Sequence, residues 1–255
     1  MKAVIKLHLK ENIKKNSFII FAILGTIVSL IVLFELEFSV NGMKSTSDYA
    51  IYGIQWRILS IIACLAGVTL SMNVIANHRQ GTKRELLKLH GLPVYKQYLS
   101  LISGNIIVAF LMALILCLGM FVQIIIKGTD VTFFGFLMAL FFYLLTILIS
   151  TLFISLLTII FPSVVAALLG IMIIILGNLR GTLEIIIGNK GGIFGNIMTV
   201  FLKFLPPLDS FGQLIIDFFM KEFSDFSKLF SSLFYLWLLI GVTYLLTKVV
   251  ERNEN

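Results

Sequence analysis

Hydrolytic or metal-assisted chemistry needs nucleophiles, bases or ligands at fixed spacing, and this sequence offers few. Its histidines are His8, His78 and His90. They fall in polar stretches outside the long apolar runs, which reads as three surface side chains. His-Glu-x-x-His and Gly-x-Ser-x-Gly are both absent, and with them the zinc and nucleophile-elbow chemistries that they carry. Cys64 and Cys117 lie inside apolar runs. There a thiol packs as a small hydrophobe, and neither a disulfide nor a metal framework is implied. No Gly-x-x-x-x-Gly-Lys-Ser/Thr run is present to cradle a nucleotide. The expectation is a chain that is not itself an enzyme and holds no metal or cofactor.

The apolar runs explain why. Of 255 residues, 59% are hydrophobic and 13% charged, and the mean hydropathy is +1.03. Soluble domains hold roughly 45–50% apolar and about 25% charged residues, because a globule of this size needs a polar exterior. The composition excludes an ordinary soluble enzyme, a disordered chain and a disulfide-stapled module. It predicts an all-α integral membrane protein. Six runs are long enough to cross: 17–34, 52–76, 98–126, 131–160, 163–187 and 229–250. Phe161-Pro162-Ser163 forces the fourth and fifth into a hairpin, and no loop is long enough for a soluble domain. The chain is expected to form a single transmembrane domain over residues 1–255 without a cleaved signal peptide.

Orientation follows from the positive charge. With the N-terminus inside, the cytoplasmic segments carry 12 cations (including Lys2, Lys6, Lys10, Lys14, Lys15, Arg79, Lys83, Arg84, Lys88 and Lys96) against four acids. The reverse orientation exposes both strong basic clusters, against the positive-inside rule. A multi-pass plasma-membrane protein with both termini cytoplasmic is predicted. The net charge of +7 is thereby assigned to the membrane flank and not to a nucleic-acid partner.

Polar residues inside the runs are the functional candidates, because an ionisable group at membrane depth is costly. Arg57, Arg180 and Glu184 stand near the outer ends of the second and fifth runs and form a candidate outer gate. Arg180 and Glu184 have ion-pair spacing. Gln55, Ser60, Thr69 and Asn73 in the second run and Asn178 in the fifth are candidates for a substrate path. Gly170, Gly177 and Gly181 share one face of the fifth, and the last two have the spacing of close helix packing. No deep acidic relay is present, which argues against a proton-coupled pump.

Three segments lie outside the spans. Residues 1–16 place Lys2, Lys6, Lys10 and Lys14 beside a row of Ile5, Leu9 and Ile13, the pattern of an interfacial helix. Between the second and third runs, Thr82 and Glu85 have capping-box spacing, and Gly91 and Pro93 have the spacing of a helix stop. The short helix so bounded has Leu86, Leu87 and Leu89 on an apolar side and Lys83, Arg84 and Lys88 on a basic one. A helix that docks into a groove of a soluble partner has this form. Residues 188–228 carry a glycine-rich lead-in, then Pro206-Pro207, then a helix capped by Asp209 or Ser210. Phe211, Leu214, Ile215, Phe218 and Phe219 fill one face of that helix, and Gln213, Asp217, Lys221 and Ser224 the other. This external re-entrant or amphipathic element is expected to lie on, or dip into, the outer leaflet.

The layout as a whole resembles an ABC-2 type transporter permease. The local match is Gly81-Thr82-Lys83-Arg84-Glu85-Leu86-Leu87 followed by Pro93-Val94, and the compact form looks most like bacterial exporters of lantibiotic or amphipathic peptides. The family often has an acid shortly before the Gly-Thr, where this chain has His78, Arg79 and Gln80. The resemblance implies a permease subunit of an ATP-binding cassette exporter, with a role in peptide transport and antimicrobial peptide resistance. The helix between the second and third spans would be a coupling helix. Thr82, Lys83, Arg84, Glu85, Leu86, Leu87, Lys88 and Leu89 would contact the ATPase. Two cytoplasmic ATPase subunits would bind ATP and Mg, and a second permease, identical or paralogous, would complete the path. The alternative is a non-transporting membrane sensor or assembly factor, which would also use a partner-docking helix.

Overall fold

A chain segment in hydrocarbon has no water to satisfy its amides, so it satisfies them itself as a helix. The computed structural model describes residues 2–33, 39–40, 43–44, 48–80, 83–127, 132–188, 192–220 and 226–254. Gly81, Thr82, Lys221 and Ser224 lie outside the described residues, and with Thr82 the first member of the expected capping box. Almost everything described is helical. In order, the helices are α1 (Lys2–Ile13), α2 (Asn16–Leu33), α3 (Asp48–Ser71), α4 (Val74–Gln80), α5 (Lys83–Leu89), α6 (Val94–Lys127) and α7 (Phe133–Ile160). They continue with α8 (Ser163–Asn178), α9 (Arg180–Gly188), α10 (Gly192–Phe204), α11 (Leu208–Met220) and α12 (Phe226–Glu254). A two-residue antiparallel pair, Ser39–Val40 with Met43–Lys44, sits between α2 and α3.

Four stretches are each long and apolar enough to cross a membrane: Gln55–Arg79, Val94–Val122, Phe133–Ile160 and Phe226–Arg252. A fifth qualifies if α8 and α9 are taken together, across a bend of 66°. The apolar stretch Asn16–Ile27 of α2 is shorter. The run read as an unbroken fifth span is therefore two helices. Leu179 ends α8 with ψ near zero, donating its N–H to the carbonyls of Ile175 and Leu176 (3.1 and 3.2 Å).

The core lies where α3, α6 and α7 meet. Trp56 is fully buried and packs edge-on to Tyr143 and Phe136, with ring centroids 5.2 and 5.8 Å apart. Ala63, Ala109 and Ala113 let the three helices approach, and Leu59, Met112 and Ile147 fill the space between them. Phe211, Leu214 and Ile215 of α11 are also buried, against α3 and α7. The apolar face of α11 was legible, but it faces protein. The helix also begins at Leu208, so Asp209 sits within its first turn instead of capping it.

One side of α1 packs on protein in the same way. His8 and Asn12 are buried against α6. His8 Nε2 lies 2.7 Å from Asn105 Oδ1, and the Asn12 amide reaches His8 Nδ1 at 3.1 Å. Gly104 makes the room, since a Cβ there would stand 2.5 Å from His8 Cδ2. His78 is buried as well, with Nε2 2.8 Å from Gln97 Oε1. Two of the three histidines are thus interior hydrogen-bonding groups, and only His90 is exposed.

Burial lowers the His8 pKa from the ordinary 6.5, opposed by the bond to Asn105, assisted by the charge of Lys15 and opposed by that of Glu11. An imidazole harder to protonate when docked stabilises docking in full above 6.5. That contribution is lost as the pH falls through 6.5 toward the lower folded value. Hydrogen exchange of the α1 amides, expressed relative to the intrinsic rate at each pH, should therefore accelerate on acidification from about pH 7.5 to about pH 5.5. Gly104→Val should accelerate it at both pH values, and unchanged exchange in either case would contradict this account of α1.

Candidate functional site

The break in the fifth run leaves backbone groups that need partners. Arg57 reaches across from α3 and donates from Nη2 to the Asn178 carbonyl at 2.8 Å, capping the end of α8. Asp209, from the first turn of α11, accepts from the Gly181 N–H at 3.2 Å, capping the start of α9. Arg57 and Asp209 are themselves ion-paired, with side chains 34% and 24% exposed. Arg180 adds a second knot. Its Nε pairs with Glu184 at 2.8 Å, and its Nη1 donates to the Leu205 carbonyl just past α10, at 3.3 Å. One acid and two arginines thus tie α3, α8, α9, α11 and the end of α10 together.

The glycines make this approach possible. A Cβ on Gly177 would stand 2.9 Å from the Pro206 carbonyl, and one on Gly181 would run into the Asp209 carboxylate. The Gly177–Gly181 spacing, read as one face of a continuous span, is corrected. The two residues sit on different helices and make room for the 206–209 segment. Gly170 packs within the chain, where a Cβ would meet Ile154 Cδ1 at 2.6 Å.

These groups line a cavity of about 450 Å³. Arg57, Arg180 and Glu184, the expected outer gate, are all in its wall. Asp209, Ser210, Gln213, Lys228 and Ser231 join them. Asp209 was missed because its partner is 152 positions away. The available signal was an acid opening an apolar helix in a chain with an isolated arginine in an apolar run. Both signs of charge line the wall, so the cavity suits a polar or zwitterionic group. Among the described residues no three His, Cys, Asp or Glu side chains gather closely enough to hold a metal ion.

The residues expected to line a substrate path make mostly local bonds. Ser60 donates to the Trp56 carbonyl, Thr69 to that of Ala66 and Asn178 to that of Ile174, at 2.8–2.9 Å, all within their own helices. Such local bonds cost little and aim at nothing beyond the helix. At about 100° per residue, Ser60 is turned far from Gln55 and Thr69. Asn73 is exposed in the turn after α3. Gln55 differs from the rest, being 1% exposed with neither amide atom finding a partner among the described residues.

At the opposite end of the bundle, α5 is a seven-residue helix held on three sides. Gly91, at φ +77°, closes it. The Gly91 N–H bonds to the Lys88 carbonyl and that of Leu92 to Leu87, both at 3.0 Å, the paired bonds of a Schellman stop. Gln97 of α6 donates to the Leu92 carbonyl at 2.8 Å and accepts contact from His78 of α4. Lys83 pairs with Glu11 of α1 at 3.3 Å. Leu86 and Leu89, three apart, stand 57% and 86% exposed. Lys83, Glu85 and Lys88 are exposed beside them, and Arg84 and Leu87 are half-buried. No family model matches the chain, and no curated protein matches it.

Because both members of the Arg57–Asp209 pair also cap backbone, exchanging them cannot restore the site. Arg57→Met and Asp209→Ala should each destabilise the protein by about 1–3 kcal/mol, the cost of an unsatisfied buried group. The exchange Arg57→Asp with Asp209→Arg should recover none of it, as read by thermal unfolding in detergent. Full recovery by the exchange would mean that charge alone matters.

Proposed function

We propose that the chain is the membrane subunit of an ATP-binding cassette exporter, which moves a hydrophobic or amphipathic substrate, such as a peptide, using separate ATPase subunits. In this reading α2, α3, α6, α7, the bent α8–α9 pair and α12 are six spans. Both termini face the cytoplasm. Two ATPase subunits, which bind ATP and Mg, dock beneath, and a second permease completes the path.

One observation carries the reading. A short helix between two apolar spans is closed by a left-handed glycine and tied to three neighbours, and it still turns two leucines outward. Exposed leucines on a rigid support are what a partner buries. A push on α5 would pass through Gln97 to α4 and α6 and through Lys83 to α1. Of these, α4 and α6 pack on α3, which carries Arg57 at the other end. The charged cavity there would then be the outer gate beside the exit.

Purification from the native membrane in mild detergent should bring down an ATPase in stoichiometric amount. Burying Leu86 and Leu89 is worth roughly 2 kcal/mol or more. Leu86→Asp with Leu89→Asp should therefore weaken the association by at least about tenfold while leaving the thermal unfolding temperature unchanged. If the chain purified alone in every detergent, the permease reading would be wrong, and a sensor or assembly role would replace it.

A further inference from the structure

A second groove, of about 470 Å³, lies where α5, α6 and α12 converge. Lys88 and Lys96 line it from one side and Glu251 from the other, with the backbone turn at Gly91–Val94 as its floor. Lys248 stands next to it. Its Nζ lies 3.5 Å from the centre of the Tyr95 ring and 3.7 Å from Glu251. The Lys96 ammonium is 5.8 Å from the same ring. Three ammonium groups and one carboxylate therefore share this corner. Among the described residues neither Lys88 nor Lys96 has an ion-pair partner. Cations gathered this closely, within a Debye length, repel unless an anion joins them.

The groove's place in the fold selects the anion. The apolar stretch of α6 begins at Val94, and that of α12 ends at Arg252. Two spans thus reach the membrane surface at this level, with Tyr95 in the position favoured by interfacial aromatics. From Glu251 an exposed stripe runs back along α12 through Tyr244, Ile240 and Trp237, which are 46%, 48% and 78% exposed. Steps of seven, four and three residues keep the stripe on one helix face. A ligand with a phosphate at one end and acyl chains at the other fits both parts.

We propose that this groove binds the phosphate of an anionic phospholipid headgroup, with Lys96 and Lys248 as its principal cations and the acyl chains lying along the Tyr244–Trp237 stripe. The inference does not rest on a docked ATPase, since α6 and α12 supply its main contacts.

The test uses the purified full chain in detergent, with phosphatidylglycerol and phosphatidylcholine of matched chains as probes, and counts bound lipid by native mass spectrometry. The wild type should retain phosphatidylglycerol about tenfold more strongly, in line with two surface-level cations. Lys96→Gln with Lys248→Gln should reduce it to the phosphatidylcholine level. Lys96→Arg should retain it, and Lys203→Gln, the same charge change on α10, should have no effect. Thermal unfolding checks that the double variant remains folded; if it does not, Lys96→Gln alone must show at least half of the loss on a logarithmic scale. Equal retention of the two lipids by the wild type, or unchanged retention by the lysine variants, would overturn the proposal. Displacement of the lipid by millimolar inorganic phosphate would overturn the lipid assignment in favour of a free-phosphate site.

Discussion

Backbone out of reach of water must be paired within the protein, and the break at Leu179 is where this chain has to meet that demand from elsewhere. Each buried amide or carbonyl left unpaired costs about 1–3 kcal/mol, whereas a part-exposed ion pair contributes roughly 0–1 kcal/mol. The value of Arg57 and Asp209 therefore lies in the backbone groups they cap more than in their attraction. The same two bonds fix the surroundings. Asp209 can reach Gly181 only if α11 leaves the surface and lies against α3 and α7. Gly177 and Gly181 must lack side chains for the 206–209 segment to come so close. The charged cavity is the space left beside this arrangement.

The two ends of the bundle solve different problems with similar devices. At the basic end, Asn105 and Gln97, both on α6, hold histidines from α1 and α4 and so fasten the short helices to a long one. At the other end, Arg57 on α3 holds the broken pair α8–α9. In both places a polar residue on a straight helix completes a helix that is short or interrupted. Straight helices therefore carry the load between the ends, and α3 and α6, which hold these polar residues, pack directly on one another. That continuity is the physical basis on which a movement of α5 would be felt at the cavity.

What could be read from the sequence was local. Hydropathy located the long helices, and the glycine and proline after Leu89 located the stop of α5, because each signal lies within a few residues of its effect. The apolar row Phe211, Leu214 and Ile215 gave the buried face of α11 but not what it faces, since lipid and protein select the same side chains. The bend at Leu179 carries no proline to mark it; it depends on Arg57 and Asp209, which are 152 positions apart. His8 and His78 read as surface residues because their partners, Asn105 and Gln97, are inside or beside a different apolar run. The sequence does not separate the roles of the polar residues of α3, for a related reason. A serine or threonine that bonds its own helix looks in sequence like one that faces a path.

The central claim is that the end bearing α5 faces the cytoplasm and the end bearing the charged cavity faces outward. Cys64 and Cys117 are buried, so single cysteines introduced at the exposed positions Leu89 and Thr182 give a clean readout with a membrane-impermeant maleimide on intact cells. The account predicts labelling of Thr182→Cys in intact cells and of Leu89→Cys only after the membrane is opened. The reverse pattern, or labelling of both positions from outside, would contradict it.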